Sequence, residues 1–466
     1  MSSSAPDAAH DNQTYALVIA VLASFIAPFL GSSLNVALPS IGREFGLTAV
    51  ALTYIPSAYV LSSVMFLVPI GRLADIHGRK RVFTAGICLE MLACASATMT
   101  PSGTFFIVLR AVQGLGGAMI FSTGLAILTS VYPPERRGRV LGINVASVYL
   151  GLSLGPVLGG LLTHYAGWRR IFLANIILGA LILWLTTMKL RGEWAEARGE
   201  RFDGMGTILY GGAFLALTAG LTWAQGAYAA ACVVIGAGAL AAFAFWELHQ
   251  EHPILELRLF QNPAFAYSNV AALIHYGATT AIGFLLSLYL QDVKGFTPQE
   301  AGFVLLSQPV VMALLSPSAG KLSDRTDPRR VSSIGMAITS AGLAALCLLD
   351  AATPIGVVLA ALMVIGFGFA LFSSPNTNAI LSSVDRRFYG TASGVVGTMR
   401  LTGQLFSMGI TTLMFGHFLG TRAVAPETTP EFLSAANAAF ILFAALCACG
   451  ALLSLGGRKA APPVGP

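Results

Sequence analysis

The sequence predicts an all-α polytopic membrane protein, on three observations. The chain has 466 residues, of which 55% are hydrophobic and only 10% charged, whereas soluble domains carry about 25% charged residues. Its mean hydropathy is +0.74. Apolar runs near the bilayer-crossing length of about 20 residues recur along the whole chain, without the alternation of an outer-membrane barrel.

Fourteen spans are expected, at 15–38, 51–71, 82–99, 104–130, 138–163, 170–188, 205–223, 228–247, 264–290, 300–319, 331–349, 354–378, 389–417 and 434–456. The seventh and eighth admit another reading, as interfacial helices of a twelve-span chain. The first fourteen residues are polar and hold no Lys or Arg, so a cleaved signal peptide is not expected. The run from Tyr15 contains Pro28 and Asn35 and reads as a retained first span.

Charge supports this topology. With the N-terminus in the cytosol, the outer loops keep only Arg43, Arg169, Arg170, Lys294 and Arg422, and Arg110 and Arg400 lie inside spans. The rest of the 27 Lys and Arg fall in inner loops and tails, as the positive-inside rule requires, with both termini cytoplasmic. The net charge of +6 is thereby explained, and no nucleic-acid partner is needed to explain it. The six cysteines fall in expected spans, fit no metal or redox spacing, and read as small buried thiols.

The most informative stretch is GINVASVYLGLSLGPVLGG, with Gly142, Gly151, Gly155, Pro156, Gly159 and Gly160. Gly151, Gly155 and Gly159 recur every four residues and share one helix face. In a bilayer such a face lets two backbones touch, and a proline is tolerated where neighbours satisfy the freed groups.

Two loops repeat. GRLADIHGRKRVF begins at Gly71, and GKLSDRTDPRRV begins at Gly320. Each has Gly, a basic residue, Leu, a small residue, Asp and then a basic cluster, which indicates a duplicated unit. Gly71, Asp75, Gly78, Arg79, Lys80 and Asp324 are latch candidates. A carboxylate at this depth can pair with basic side chains or a helix N-terminus in one state and release in another. The alternative is a solvated tight turn. The expected organisation is a cytoplasmic tail (1–14), a six-helix bundle (15–188), a charged linker (189–204), an inserted helix pair (205–247), a connection (248–263), a second six-helix bundle (264–456) and a second tail (457–466).

Gly71–Phe83 resembles motif A of the major facilitator superfamily, and Gly142–Gly160 resembles its fifth-span antiporter motif. The run Arg110-Ala-Val-Gln113-Gly114-Leu-Gly116-Gly117 is similar to the superfamily's fourth-span motif, and Trp168–Asn175 to the start of the sixth span in its fourteen-span drug:proton antiporter branch. The likeness continues through Arg201-Phe-Asp and Pro253–Phe260. It implies a major facilitator fold of two six-helix bundles plus two inserted helices. It also implies alternating access around a cavity lined by spans one, four, nine and twelve, a small-molecule substrate exchanged for protons, and a monomer. By the same resemblance Asp75 would brace the start of span thirteen near Tyr389 and Gly390. One departure stands out: the acid usual in the first span of this branch is replaced by Leu30, before Asn35-Val-Ala-Leu-Pro.

Three residues are candidates for proton coupling. Glu90 is the one acid near the middle of a span, and intramembrane acids are functional hypotheses by default. Gly86, Ala93, Cys94 and Ala97 share its helix face, which turns it toward protein. A neutral structural acid is the alternative. Arg110 needs a partner in the membrane or must snorkel outward. His275 titrates near neutral pH or serves as a packing residue. Candidate cavity residues are Asn35, Tyr54, Tyr59, Gln113, Ser122, Thr123, Tyr276, Asn376 and Asn378 beside Pro375, and Arg400 with Gln404 one turn on. No phosphate loop, metal cluster or nucleophile motif is present, which argues against an enzyme, and no cofactor is expected. The leading reading is an exporter of hydrophobic or amphipathic compounds in the cell membrane. The alternative is an uncoupled or differently coupled exporter of one metabolite or lipid.

Overall fold

The computed structural model describes residues 4–222, 226–251, 253–385 and 388–455. The expected tail at 457–466, and Arg386 and Arg387 of the inner loops, lie outside the described residues. The helices are α1 (Ser4–Phe45), α2 (Ala49–His77), α3 (Arg79–Thr98), α4 (Gly103–Val131), α5 (Pro134–Ala166), α6 (Arg169–Met188), α7 (Gly204–Thr222), α8 (Gly226–Leu248), α9 (Pro263–Thr279), α10 (Ile282–Leu288), α11 (Pro298–Arg325), α12 (Pro328–Leu346), α13 (Ile355–Ser382), α14 (Tyr389–Phe418) and α15 (Thr429–Leu455). Among the described residues there is no strand.

Local chemistry fixes many helix starts. Thr48, Ser102 and Asn262 cap α2, α4 and α9 through their side chains, and Thr297 forms a reciprocal capping box with Glu300 at α11, each satisfying amides that the first turn leaves free. Prolines stand inside α1, α2, α5, α11 and α13. Near Pro28, Ser32 Oγ donates to the Pro28 carbonyl at 2.6 Å, an example of hydroxyls serving backbone acceptors where a bilayer offers no water.

Among the described residues twelve helical segments are long and apolar enough to cross a membrane, and α7 and α8 are two of them. The segments that fall short are α12 and α14, not the pair that sequence left open. The polar load explains this: α12 opens on Arg329 and Arg330, and α14 carries Arg400 and Gln404. The expected ninth span is one crossing but not one helix. It breaks at Thr280–Ala281, where the Ala281 amide donates to Ser407 Oγ at 3.0 Å, and then resumes as α10.

Helices α1–α6 pack among themselves, chiefly α1 on α5, α2 on α4, and α3 on α4 and α6; α9 and α11–α15 do the same, chiefly α12 on α13 and α15, α11 on α13, and α14 on α9. The two groups meet through α5 on α11, α2 on α14 and α1 on α10. Helices α7 and α8 pair with each other, and α7 touches both α2 and α14.

The largest apolar core lies at the end opposite the 189–204 linker. It joins Leu38, Ile41, Leu52, Trp168 and Phe172 of the first group to Phe284, Leu288, Phe415 and Phe432 of the second. Polar ties gather at the same end. The Ala49 amide donates to the Arg422 carbonyl at 3.0 Å, Thr53 and Thr412 share a hydroxyl hydrogen bond at 2.7 Å, and Arg43 pairs with Asp292 at 3.3 Å.

Candidate functional site

Glu90, Gln113 and Arg110 converge between α2, α3 and α4, at a backbone contact made possible by glycine. A Cβ on Gly116 would stand 3.1 Å from the Glu90 amide, and one on Gly86 would press on Met119 and the Gly116 carbonyl. The close approach puts Glu90 against α4, as its small-residue face predicts. Cys94 Sγ lies 3.8 Å from Glu90 Oε1 and accepts from Gln113 Nε2 at 3.1 Å. Gln113 Oε1 accepts from Arg110 Nη1. Arg110 Nε donates to the Ile55 carbonyl at 3.4 Å, and its guanidinium stands 4.5 Å from the centre of the Tyr59 ring. Glu90 is 6% and Arg110 2% exposed, so Arg110 does not snorkel. Two neutral side chains thus link a buried carboxylate to a buried cation. Glu90 Oε2 is buried and has no hydrogen-bond partner among the described residues.

His275 does not join this relay. It is fully buried in the second group, stacked 3.9 Å from Phe372 and edge-on to Phe369 at 4.8 Å, with Cys447 Sγ 3.7 Å from Nδ1. That is a packing environment, and Tyr276 also packs edge-on to Phe369, at 5.6 Å.

The antiporter-type stretch divides its residues between two neighbours. A Cβ on Gly151, Gly155 or Gly159 would run into Phe25–Pro28–Phe29, Ser32 or Ser33 of α1, while Gly160 faces Pro298 and Gly302 faces the Pro156 carbonyl across the α5–α11 contact. Ser33 Oγ donates to the Gly155 carbonyl at 2.9 Å. Gly142 has no such neighbour and falls off the contact face, because it stands nine residues before Gly151 and not at a multiple of four.

The loop after α2 is clasped by the linker, a contact that sequence reading missed. Asp75 accepts from Arg79 Nε at 2.7 Å. Arg79 also donates to Ser130 Oγ at 2.6 Å and to Glu196 at 2.8 and 3.0 Å. Lys80 gives its amide to Glu193 at 2.8 Å and its ammonium to the Leu190 carbonyl at 2.6 Å. Arg72 pairs with Glu200, and the Ala197 amide donates to the Asp75 carbonyl at 3.0 Å. Among the described residues Arg79, and no group at the start of α14, is what the Asp75 carboxylate binds. Gly71 packs toward Ser122, and Gly78 has φ +118° with Glu193 over its open face, a backbone setting that favours glycine. The signal available in the sequence was charge alone: Glu193, Glu196 and Glu200 in a mixed-charge linker opposite a basic loop.

The cavity candidates make the following contacts. Tyr54 donates to the Thr222 carbonyl of α7 at 2.9 Å. Thr123 is fully buried and bonded to the Met119 carbonyl, and Ser122 donates to the same carbonyl. Asn378 donates to Ser323 at 3.1 Å and to Asp324 at 3.3 Å, so it ties the two ends of α11 and α13 near the second loop. Asn376 is buried within α13. Asn35 is half-buried on α1, opposite Gly283 of α10. Arg400 and the half-buried Gln404 share a face of α14, and the Arg400 guanidinium lies 5.1 Å from the Phe121 ring of α4. Across the seam Tyr149 of α5 donates to Ser373 of α13 at 3.0 Å. The cysteines are free, but only Cys94 and Cys447 are buried, and Cys449 is exposed, since several of these spans present a face outside the protein core.

A membrane-embedded bundle with polar groups sequestered between its helices, and with a glycine-lined contact between them, defines a multi-span membrane transporter. The chain belongs to the Major Facilitator Superfamily, whose family model matches residues 20–246 and 269–466. It is similar to the riboflavin transporter RibZ of Clostridioides difficile (strain 630), 27% identical over 442 residues, covering 94% of this chain and 96% of that one. It is similar to the multidrug resistance protein Stp of Mycobacterium tuberculosis (strain CDC 1551 / Oshkosh), 30% identical over 382 residues, covering 81% and 71%. Among solved structures it shares its fold with a POT family transporter crystallised with a thioalcohol-conjugated peptide, at a TM-score of 0.72 and 16% identity, covering 94% and 95%. Relatives and fold alike are those of transporters, not enzymes.

Proposed function

We propose that this chain is a secondary active transporter that exports hydrophobic or amphipathic small molecules by alternating access, in exchange for protons, from the cell membrane. The observation that carries the proposal is the buried Glu90–Cys94–Gln113–Arg110 relay, with one carboxylate oxygen unpartnered. A carboxylate in such a place can hold a proton in one state and, in a state open to water, release it to solvent as the nearby cation stabilises the ionised form. Multidrug resistance and export proteins among the relatives support the exporter direction.

In this reading α1–α6 and α9–α15 form two six-crossing bundles, α7 and α8 are an inserted pair, and both termini and the linker are cytoplasmic. The protein acts as a monomer, as the family default implies. The ties between bundles gathered opposite the linker support an arrangement closed on the outer side. The Asp75 latch is then disengaged from α14 and held by Arg79 and the linker.

A second reading keeps the fold and drops the proton. It is an uncoupled or differently coupled exporter of one metabolite or lipid. The buried Leu30 at the usual first-span acid position and the riboflavin-transporter relative favour it. Reconstitution into proteoliposomes, with substrate flux measured with and without a pH gradient, tests both. Gradient-driven flux abolished by Glu90→Gln supports exchange; flux indifferent to the gradient and to that substitution selects the second reading.

A further inference from the structure

Arg400 of α14 lies inside the bundle with no carboxylate partner among the described residues. The residue is half-buried, and a guanidinium held partly out of water is costly unless paired. It lies about 17 Å along α14 at the rise of ~1.5 Å per residue, between α14 and α4. Among the described residues no carboxylate pairs with it, and its Nε is buried without a hydrogen-bond partner. The acids that could have served are accounted for. Glu90 is engaged through Cys94 and Gln113 with Arg110. The first-span position holds Leu30. The other acids of the described residues stand toward helix ends or in loops. The seam between the two helix groups therefore carries an excess positive charge.

What surrounds this cation is suited to a ligand. The guanidinium rests over Phe121, whose ring is 39% exposed although it faces α14 across the seam. Gln404 shares its helix face, and Tyr149 bonds Ser373 across the seam. This is a fixed cation, an open aromatic face and hydroxyl and amide groups, contributed by both halves of the molecule.

We propose that Arg400 is the counter-ion of the transported molecule, and that the substrates are amphipathic organic anions: a carboxylate, or an acid of like charge, on an aromatic body that stacks on Phe121. This rests on the transporter reading above and narrows its substrate class. Without cargo the cation is unpaired; with cargo it is neutralised, so binding favours anions over neutral or cationic isosteres.

The test uses three probes with one ring system, naphthoate, naphthamide and naphthylmethylammonium, with the full chain in nanodiscs and equilibrium dialysis against protein-free nanodiscs. Naphthoate is expected to bind saturably and at least about tenfold tighter than either other probe, as a charge-assisted hydrogen bond implies. Arg400→Gln should abolish that ranking and Arg400→Lys should keep part of it. The ranking in the unsubstituted chain needs no variant to fold. Equal affinities, a preference for the ammonium, no saturable binding of any probe, or an unchanged ranking in a folded Arg400→Gln overturns the inference. Flux of the same probes into proteoliposomes separates the two readings. Naphthoate binding without flux sinks the export function and leaves the anion site standing, while flux of all three without charge preference does the reverse.

Discussion

At the scale of single residues, Glu90 and Arg110 are the most constrained pair in the molecule. Each is buried, and each reaches the other only through Cys94 and Gln113. Removing one charge strands its partner. Arg110→Leu should therefore cost about 3–5 kcal/mol, read as a large drop in unfolding temperature in nanodiscs. Glu90→Gln keeps the hydrogen bond from Cys94 but strands the Arg110 cation, so it should cost a comparable amount. The double variant should recover part of the Arg110→Leu loss, and a double-mutant cycle by thermal unfolding measures that coupling. In transport, Glu90→Gln is expected to remove at least about tenfold of the gradient-driven rate, the scale of a lost proton-transfer group, while binding of substrate at equilibrium survives. His275→Phe makes the opposite test. Its ring packs among aromatics, so gradient-driven flux should persist.

At the scale of elements, the contact between α1 and α5 is set by missing side chains. A methyl group at Gly155 would meet Ser32 and the Phe29 carbonyl, the latter at 3.0 Å, so Gly155→Ala should destabilise by about 1–3 kcal/mol through overpacking. Gly142→Ala adds a methyl group to open space and should change stability by no more than about 1 kcal/mol, in the favourable direction expected for alanine in a helix. Unfolding temperatures of the two variants side by side check the contrast. The linker gives another element-scale prediction. Pairs of this partly exposed kind contribute about 0.2–1 kcal/mol each. Glu193, Glu196 and Glu200 all replaced by Gln should raise amide exchange in 189–204 by about tenfold, measured by hydrogen exchange and mass spectrometry.

These elements also show what a sequence can reveal. The α5 face was legible because glycines spaced by four must stack on one side of a helix. The Glu90 environment was legible for the same reason, since Gly86, Cys94 and Ala97 share its face. The break after Thr279 was less so, because it depends on a hydroxyl from Ser407, far along the chain. The linker clasp, the Tyr54–Thr222 bond and the Asn378–Asp324 contact carry no periodic signature. They join residues brought together by the fold, and neither spacing nor propensity encodes such meetings.

At the scale of the whole molecule, the ties opposite the linker define one closed end. Thr53 of α2 and Thr412 of α14 already share a hydrogen bond at 2.7 Å, close enough for cysteines there to bridge. Thr53→Cys with Thr412→Cys should form a disulfide under mild oxidation, seen as a linked peptide by mass spectrometry. Transport should stop and return on reduction. A linked protein that transports at the normal rate would mean that this end never opens.

Helix α7 leans on both α2 and α14 through side chains such as Tyr210, Phe214, Val64 and Leu405, and Tyr54 of α2 donates to its Thr222 carbonyl. Oily surfaces have no preferred register, so such a support resists separation and permits glide. If the two halves rotate as proposed, α7 would act as a greased bearing beside the joint and would screen that flank of the opening from acyl chains.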